Sequence, residues 1–157
     1  MGPKDPDNVI DVEIRPVGGA SGDYILEEQI GHLLRRAHQR ASSIFQEVMT
    51  EGLTPPQFAA LVKIRDFGMV SQNRLGRSVA MDPATSQGVT QRLLAKNLIS
   101  RKDDPEDRRR TLLSLTPEGE AMVARLVPLG KKVTAQTLEP LAPEERKQFL
   151  ALLTRIT

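Results

Sequence analysis

The chain has 157 residues, 39% of them apolar, enough to bury one core and short enough for one or two small domains. No apolar run approaches the roughly 20 residues that cross a bilayer, and the N-terminus carries acids and prolines but no apolar signal region, so the cytoplasm is the expected compartment and no membrane partner is expected. The absence of cysteine excludes disulfides, thiolate metal sites and thiol redox sensing, and the formal charge of +2 hides a basic middle, with nine Lys/Arg against five acids from Gln72 to Arg110.

Residues 1–22 hold Pro3, Pro6, Pro16 and a glycine cluster without helical periodicity, which predicts a flexible N-terminal arm. From Leu26, apolar residues recur at three and four (Ile30, Leu33, Leu34, Ala37, Ala41, Ile44, Phe45, Val48), which predicts an amphipathic helix ending near Gly52. Thr54 then caps a short helix that has Pro55 at its first position and stops at Gly68. Ser71 caps a third helix through Val79, and Asp82 with Pro83 opens a fourth that runs to about Lys96, where Asn97 takes a left-handed position. Two helices joined by so few residues predict a helix-turn-helix. "LISRKD" and "TLLSLT" predict two strands around a loop "DPEDRR", and Thr116 and Pro117 open a long helix with an expected kink or frayed turn at Pro128 and Gly130. Pro143 opens the last helix. There are no internal repeats or low-complexity tracts.

This order predicts a mainly α fold with a small β-hairpin: a winged helix-turn-helix over 53–116, flanked by terminal helices over 23–52 and 117–157 that serve dimerisation. In such a fold the fourth helix is the recognition helix. Thr85, Ser86, Gln87, Thr90 and Gln91 offer it donors and acceptors for base edges in a major groove, while Val89, Leu93 and Leu94 have the spacing of core positions. The alternative is that these hydroxyls simply belong to an exposed surface. Arg74, Arg77 and Arg92 nearby favour DNA, and either Gln87 or Gln91 has the amide that pairs with adenine. The hairpin is the wing: a thin support that brings arginines to a narrow minor groove, with Asp107 two positions before Arg109 to hold the guanidinium or the loop.

From Tyr24 to Ile156 the chain resembles the MarR-type winged-helix transcription factors. The resemblance rests on "DPEDRRRTLLSLTPEGE", in which Asp107 and Arg109 match an Asp-x-Arg pair and Leu115, Thr116 and Gly119 match a Leu-Thr-x-x-Gly pattern, and on "LTPPQFAAL" and "VTQRLLAKNLISRKDDPEDRR". It implies that Arg109 enters the minor groove with Asp107 as its orienter, that Arg108 and Arg110 contact phosphates, and that a homodimer reads a pseudo-palindromic operator in double-stranded DNA. The apolar faces of the terminal helices agree with a dimer. Leu26, Ile30, Leu126, Val127, Val133, Leu138, Phe149, Leu150 and Leu153 are interface candidates, each equally compatible with a place in the intrachain core.

The first helix also carries "HLLRRAHQR", in which Arg35, Arg36, His38 and Arg40 form a candidate anion site, the alternative being solvated surface. On a helical wheel Arg36 lies with His32 on the polar face, and His38 and Arg40 sit at opposite borders of the apolar face. The family resemblance implies a small anionic aromatic effector, and "YILEEQIGHLLRRAHQR" resembles regulators of aromatic-acid catabolism, including those that answer a coenzyme A thioester. His32 and His38 are six apart and cannot form a metal pair, and no Gly-rich phosphate loop occurs, so no metal, cofactor or enzymatic activity is expected. The expectation is a ligand-responsive repressor. The alternative is an activator or an anti-repressor interaction protein that senses another small anion.

Overall fold

A computed structural model describes residues 24–107 and 109–157; the expected arm (1–22) and Arg108 lie outside the described residues. After a 3-10 turn at Leu26–Glu28 come α1 (Ile30–Val48), α2 (Pro55–Phe67), β1 (Met69–Ser71), α3 (Gln72–Ser78) and α4 (Pro83–Ala95). They are followed by β2 (Ile99–Asp103), β3 (Thr111–Leu115), α5 (Pro117–Thr137) and α6 (Pro143–Thr154).

The helix starts form where local chemistry puts them. Thr54 donates its N–H to Oε1 of Gln57 at 3.1 Å, Ser71 Oγ accepts the Arg74 N–H, and Asp82 Oδ1 accepts the Thr85 N–H at 2.9 Å, so each helix has one of its otherwise unsatisfied amides or its cap residue bonded. Gly68, at φ +72°, stops α2, and Asn97, at φ +55°, turns the chain out of α4.

The sheet is antiparallel in the order β1-β3-β2, with Val70 opposite Leu113 and Ile99 opposite Leu115. Two strands are expected from the sequence and three are found. Met69–Ser71 is too short to show alternation, and Ser71 also caps α3. The wing is rooted by a compact junction: Thr116 Oγ1 donates to the Asn97 carbonyl at 2.7 Å and accepts the Gly119 N–H at 3.0 Å. A Cβ at position 119 would collide with the Leu98 carbonyl oxygen, which is why glycine follows three residues after Thr116.

One core joins Phe45 of α1 and Met49 just past its end, Leu61 and Ile64 of α2, Leu75, Leu93, Leu113 and, from α5, Val123 and Leu126. Two expectations change here. Leu126 is 0% exposed and belongs to this core, with Leu138 also buried and Val127 and Val133 packed against it, so these four are intrachain residues rather than interface candidates. The kink or fray expected at Pro128 and Gly130 does not interrupt α5: Pro128 is exposed, so the backbone bond it cannot make falls on the solvent side, and Gly130 gives room to the Phe58 ring. Leu26, Ile30, Phe149 and Leu150 remain exposed, together with Tyr24, Leu33, Leu34, Leu152 and Ile156.

Candidate nucleic-acid interface

The α4 helix presents one face to the core and one to solvent. Val89 and Leu93 are buried, as their spacing predicts, and Thr85, Gln87, Gln91 and Arg92 are exposed around a centre formed by Ala84 and Gly88. Small residues at that centre leave the helix backbone open to close approach. Asp82 anchors the N-terminus with both carboxylate oxygens, Oδ1 on the Thr85 N–H and Oδ2 on the Thr85 hydroxyl at 2.8 Å. The Thr85 backbone bond, helped by the hydroxyl, holds the Asp82 carboxyl below the usual carboxylate range.

Ser86 and Thr90 are corrected from base-contact candidates to packing residues. Both fall on the inner face of α4: Ser86 Oγ donates to the Gln72 carbonyl at 3.5 Å and lies against Gly76, where α3 and α4 cross. Thr90 is 1% exposed, and its hydroxyl has no hydrogen-bond partner among the described residues.

In α3, Arg77 is exposed and lines a cleft of about 430 Å³ with Gln72, Asn73, Pro83 and Gln87. Arg74 is held differently: its guanidinium lies 4.5 Å from the centroid of the Phe67 ring, a cation–π contact, and it lines neither this cleft nor the one beside the wing.

The wing turn is built by its own acids. Asp104 Oδ1 accepts the Glu106 N–H, Asp107 Oδ1 accepts the Arg109 N–H at 3.0 Å, and the Asp107 carbonyl accepts the Arg110 N–H at 2.8 Å. Asp107 Oδ2 meets Arg110 Nε at 3.5 Å. Of the two roles open to Asp107 toward Arg109, the geometry selects the loop; the guanidinium it meets is that of Arg110. Arg109 and Arg110 are exposed and line a cleft of about 330 Å³ with Arg101, Thr111, Gln72 and Asn73. The last four are not among the residues expected from the sequence. Gln72 and Asn73 give only a weak signal, two amides directly after a cap, and Arg101 reads as one more cation until β2 places it beside the wing arginines.

The basic stretch of α1 does not converge on one site. Arg35 Nη2 lies 3.4 Å from His32 Nδ1, and Arg40 donates from Nε and Nη2 to the carbonyls of Thr137 and Gln136, both at 3.2 Å. Arg40 thus clamps the carbonyl end of α5, where a cation is favoured. His38 alone of the four lines an apolar cavity of about 410 Å³, with Leu34, Ala37, Ala41, Val133, Thr137 and Phe149. Arg36, half-buried, lines no part of it. Among the described residues no cluster of metal-ligating side chains occurs, and no helix is long and apolar enough to cross a membrane.

Known proteins share both sequence and shape with this chain. A family model, that of the MarR family, matches residues 53–111, from the approach to α2 through to the first residue of β3. The HTH-type transcriptional repressor NicR of Pseudomonas putida is 37% identical over 134 residues, 85% of each chain. The structure of Bordetella bronchiseptica BpsR, whose DNA binding is regulated by 6-hydroxynicotinic acid, superposes with a TM-score of 0.82 at 42% identity, covering 86% of this chain and 97% of BpsR. That of the PcaV transcriptional regulator from Streptomyces coelicolor with its natural ligand gives 0.80 at 32% identity, covering 87% and 96%.

Proposed function

The chain belongs to the MarR family and is a MarR-type transcriptional repressor, and on that premise we propose that it holds a pseudo-palindromic operator as a homodimer and is released by a small aromatic acid. The observation that carries this is the outward face of α4: Ala84 and Gly88 at its centre, Thr85, Gln87, Gln91 and Arg92 around them, with Arg109 and Arg110 on the wing. Small central residues let the helix seat deeply in a major groove, amides pair with base edges, and exposed arginines on a thin hairpin suit the adjacent minor groove. Residues 53–116 are the reading unit, and 23–52 with 117–157 the dimerisation unit.

A second copy covers the exposed apolar surface in which Ile30 and Leu34 share a cleft with Phe149, Leu152 and Ile156. A two-fold axis there presents two recognition helices to successive major grooves, about 34 Å apart.

For the effector, the ring enters the apolar cavity beside α1 and the acid meets His38. Between a free acid and its coenzyme A thioester, the free acid suits the site better. A thioester brings several phosphate charges, whereas Arg40 is engaged by carbonyls and Arg35 and Arg36 stand off the cavity wall. The ligand of BpsR is a hydroxylated pyridine carboxylic acid of that size. The cavity opens beside the exposed apolar surface, so occupancy and the mutual placement of the two copies are coupled.

Bandshifts on DNA flanking the protein's own gene test the proposal. Operator binding is expected to weaken steeply with salt, with a log–log slope of about −0.9 for each phosphate neutralised. It is expected to be reversed by 6-hydroxynicotinate, benzoate or p-coumarate, and His38→Ala to blunt the reversal. A salt-independent affinity would dispose of DNA as the partner. Release only by thioesters, lost in Arg35→Ala and Arg36→Ala but retained in His38→Ala, would move the effector site to the polar face of α1.

A further inference from the structure

On the division made above, the backbone passes between the dimerisation unit and the reading unit twice, from Gly52 to Leu53 and from Thr116 to Pro117. Both passages are bonded to the same two adjacent residues, Lys96 and Asn97, at the exit of α4. At the first, Lys96 Nζ donates to the Gly52 carbonyl at 2.8 Å, across 44 residues of sequence. At the second, Thr116 Oγ1 donates to the Asn97 carbonyl and accepts the N–H of Gly119, in the first turn of α5.

The two passages differ in how firmly they are held. The second is a fixed point: the Thr116 N–H also donates to the Leu98 carbonyl at 3.1 Å, and position 119 has no room for a Cβ. The first is a short exposed loop, Thr50 to Gly52, strung between the buried side chains of Met49 and Leu53. Gly52 stands at φ +68°, which glycine adopts without strain. Glu51 is drawn to Arg125 of α5 at 3.6 Å, so the loop is anchored to the dimerisation unit by its acid and to α4 by its carbonyl. The tie to α4 is one bond from an exposed ammonium to a neutral oxygen. A strongly hydrated ammonium exchanges such an acceptor for water at small cost, so this tie is the one that opens.

Resting on the operator and effector reading above, we propose that Lys96 is a positioning residue for the recognition helix: its bond to Gly52 is a releasable latch that holds the reading unit in one of two placements about the fixed point at Asn97 and Thr116. Leu34, Ala37, His38 and Ala41 of α1 line the effector cavity, and α1 ends at the latched loop. A displacement of α1 therefore reaches the Gly52 carbonyl and, through Lys96, the end of α4. A contact made in only one placement biases both ligands of a coupled protein, and where DNA and effector prefer different placements it does so with opposite sign.

The test compares full-length Lys96→Met and Lys96→Arg with wild type, each first shown to fold by circular dichroism. Lys96→Met is expected to move operator affinity and the 6-hydroxynicotinate concentration for half release by about fivefold each, in the sense that weaker operator binding goes with easier release and tighter binding with harder release. Lys96→Arg keeps a donor for the Gly52 carbonyl and should restore both. Because the chain has no cysteine, Lys102→Cys, exposed on β2, takes a single spin label. The distance between the labels of the two copies, measured by pulsed electron resonance, should shift its distribution in Lys96→Met and return in Lys96→Arg, whichever acid is the effector. An unchanged distribution in Lys96→Met overturns the latch, and a loss of affinity accompanied by a flatter salt slope identifies Lys96 as a phosphate contact instead. A wild-type protein that binds no operator, or gives no distance between copies, fails the reading on which the latch rests and the latch with it, a result distinct from either.

Discussion

Asp107 accepts the main-chain N–H of Arg109 at 3.0 Å and meets the guanidinium of Arg110, so the acid before the wing arginine shapes the turn and does not neutralise Arg109. Arg109→Ala is expected to cost about 1 to 3 kcal/mol of operator binding, the range of a specific contact, with the dimer still folded. Asp107→Asn keeps an acceptor for the Arg109 N–H and should lose less affinity than Asp107→Ala. Equal losses in the two, measured at fixed salt, would show that the charge matters and the turn does not.

The inner and outer faces of α4 should separate cleanly. Thr90→Val replaces a buried hydroxyl that has no described partner with a methyl of the same shape, and a stability gain of about 1 kcal/mol is expected with unaltered operator preference. Gln87→Ala and Gln91→Ala should each relax discrimination at one base position by about 1 to 3 kcal/mol. Chemical denaturation and binding to a panel of single-base operator variants measure both. A change of base preference in Thr90→Val would put the hydroxyl back among the readers.

How far these assignments were legible beforehand depended on whether the deciding physics was local. Thr54, Ser71, Asp82, Asn97 and Thr116 announce element ends because a cap acts within three residues. The order of elements, and with it the winged helix, followed. The face of α4 was harder: a helix of short polar residues gives little contrast for setting its rotation, and Ser86 looks like a donor until Gly76 is seen to bring α3 against it, Thr90 until its burial is seen. Leu126 and Leu150 are indistinguishable as letters, and only the packing of α5 against α1 and α2 sends one inward. Arg40 found its partners 97 and 96 residues away, beyond the reach of any spacing rule.

Those two leucines now predict different failures. Leu150, 43% exposed, lines the apolar cavity beside α1, which shares Leu34 and Phe149 with the surface assigned to the second copy, whereas Leu126 is 0% exposed. Leu150→Glu should sediment as a folded monomer with weakened operator binding. Leu126→Glu should fail to fold, since an unpaired charge in a core costs several kcal/mol. Wild-type protein sedimenting as a monomer at micromolar concentration would remove the dimer from the mechanism.

Arg40→Ala should lower stability by up to about 1 kcal/mol through loss of the cation at the carbonyl end of α5, while effector release stays at the wild-type concentration. Thermal melts and operator-release titrations report the two separately. A large shift in effector potency without a change in melting would restore Arg40 to the ligand site.

The lowered pKa of Asp82 gives a pH signature with a definite sign. A carboxyl whose folded pKa lies below its ordinary 3.8 adds stability that is fully present above that value and is lost as pH falls through the lowered one. The melting difference between wild type and Asp82→Ala should stay constant from neutral pH down to about 5 and close below about 4. A difference already closing near neutrality would mean that a group other than this cap controls the start of α4.

The junction of Asn97, Leu98, Thr116 and Gly119 ties the exit of α4, both roots of the wing and the first turn of α5 into one hydrogen-bonded knot. A lever that pulls on α5 therefore moves the roots of the wing and the exit of α4 together, like one jaw of a caliper. Release would then come from a changed gap between two rigid jaws, and the gap is something the DNA can match. An operator with its half-sites respaced should hold the effector-bound dimer and refuse the empty one, turning the inducer into a corepressor without altering a single residue of the protein.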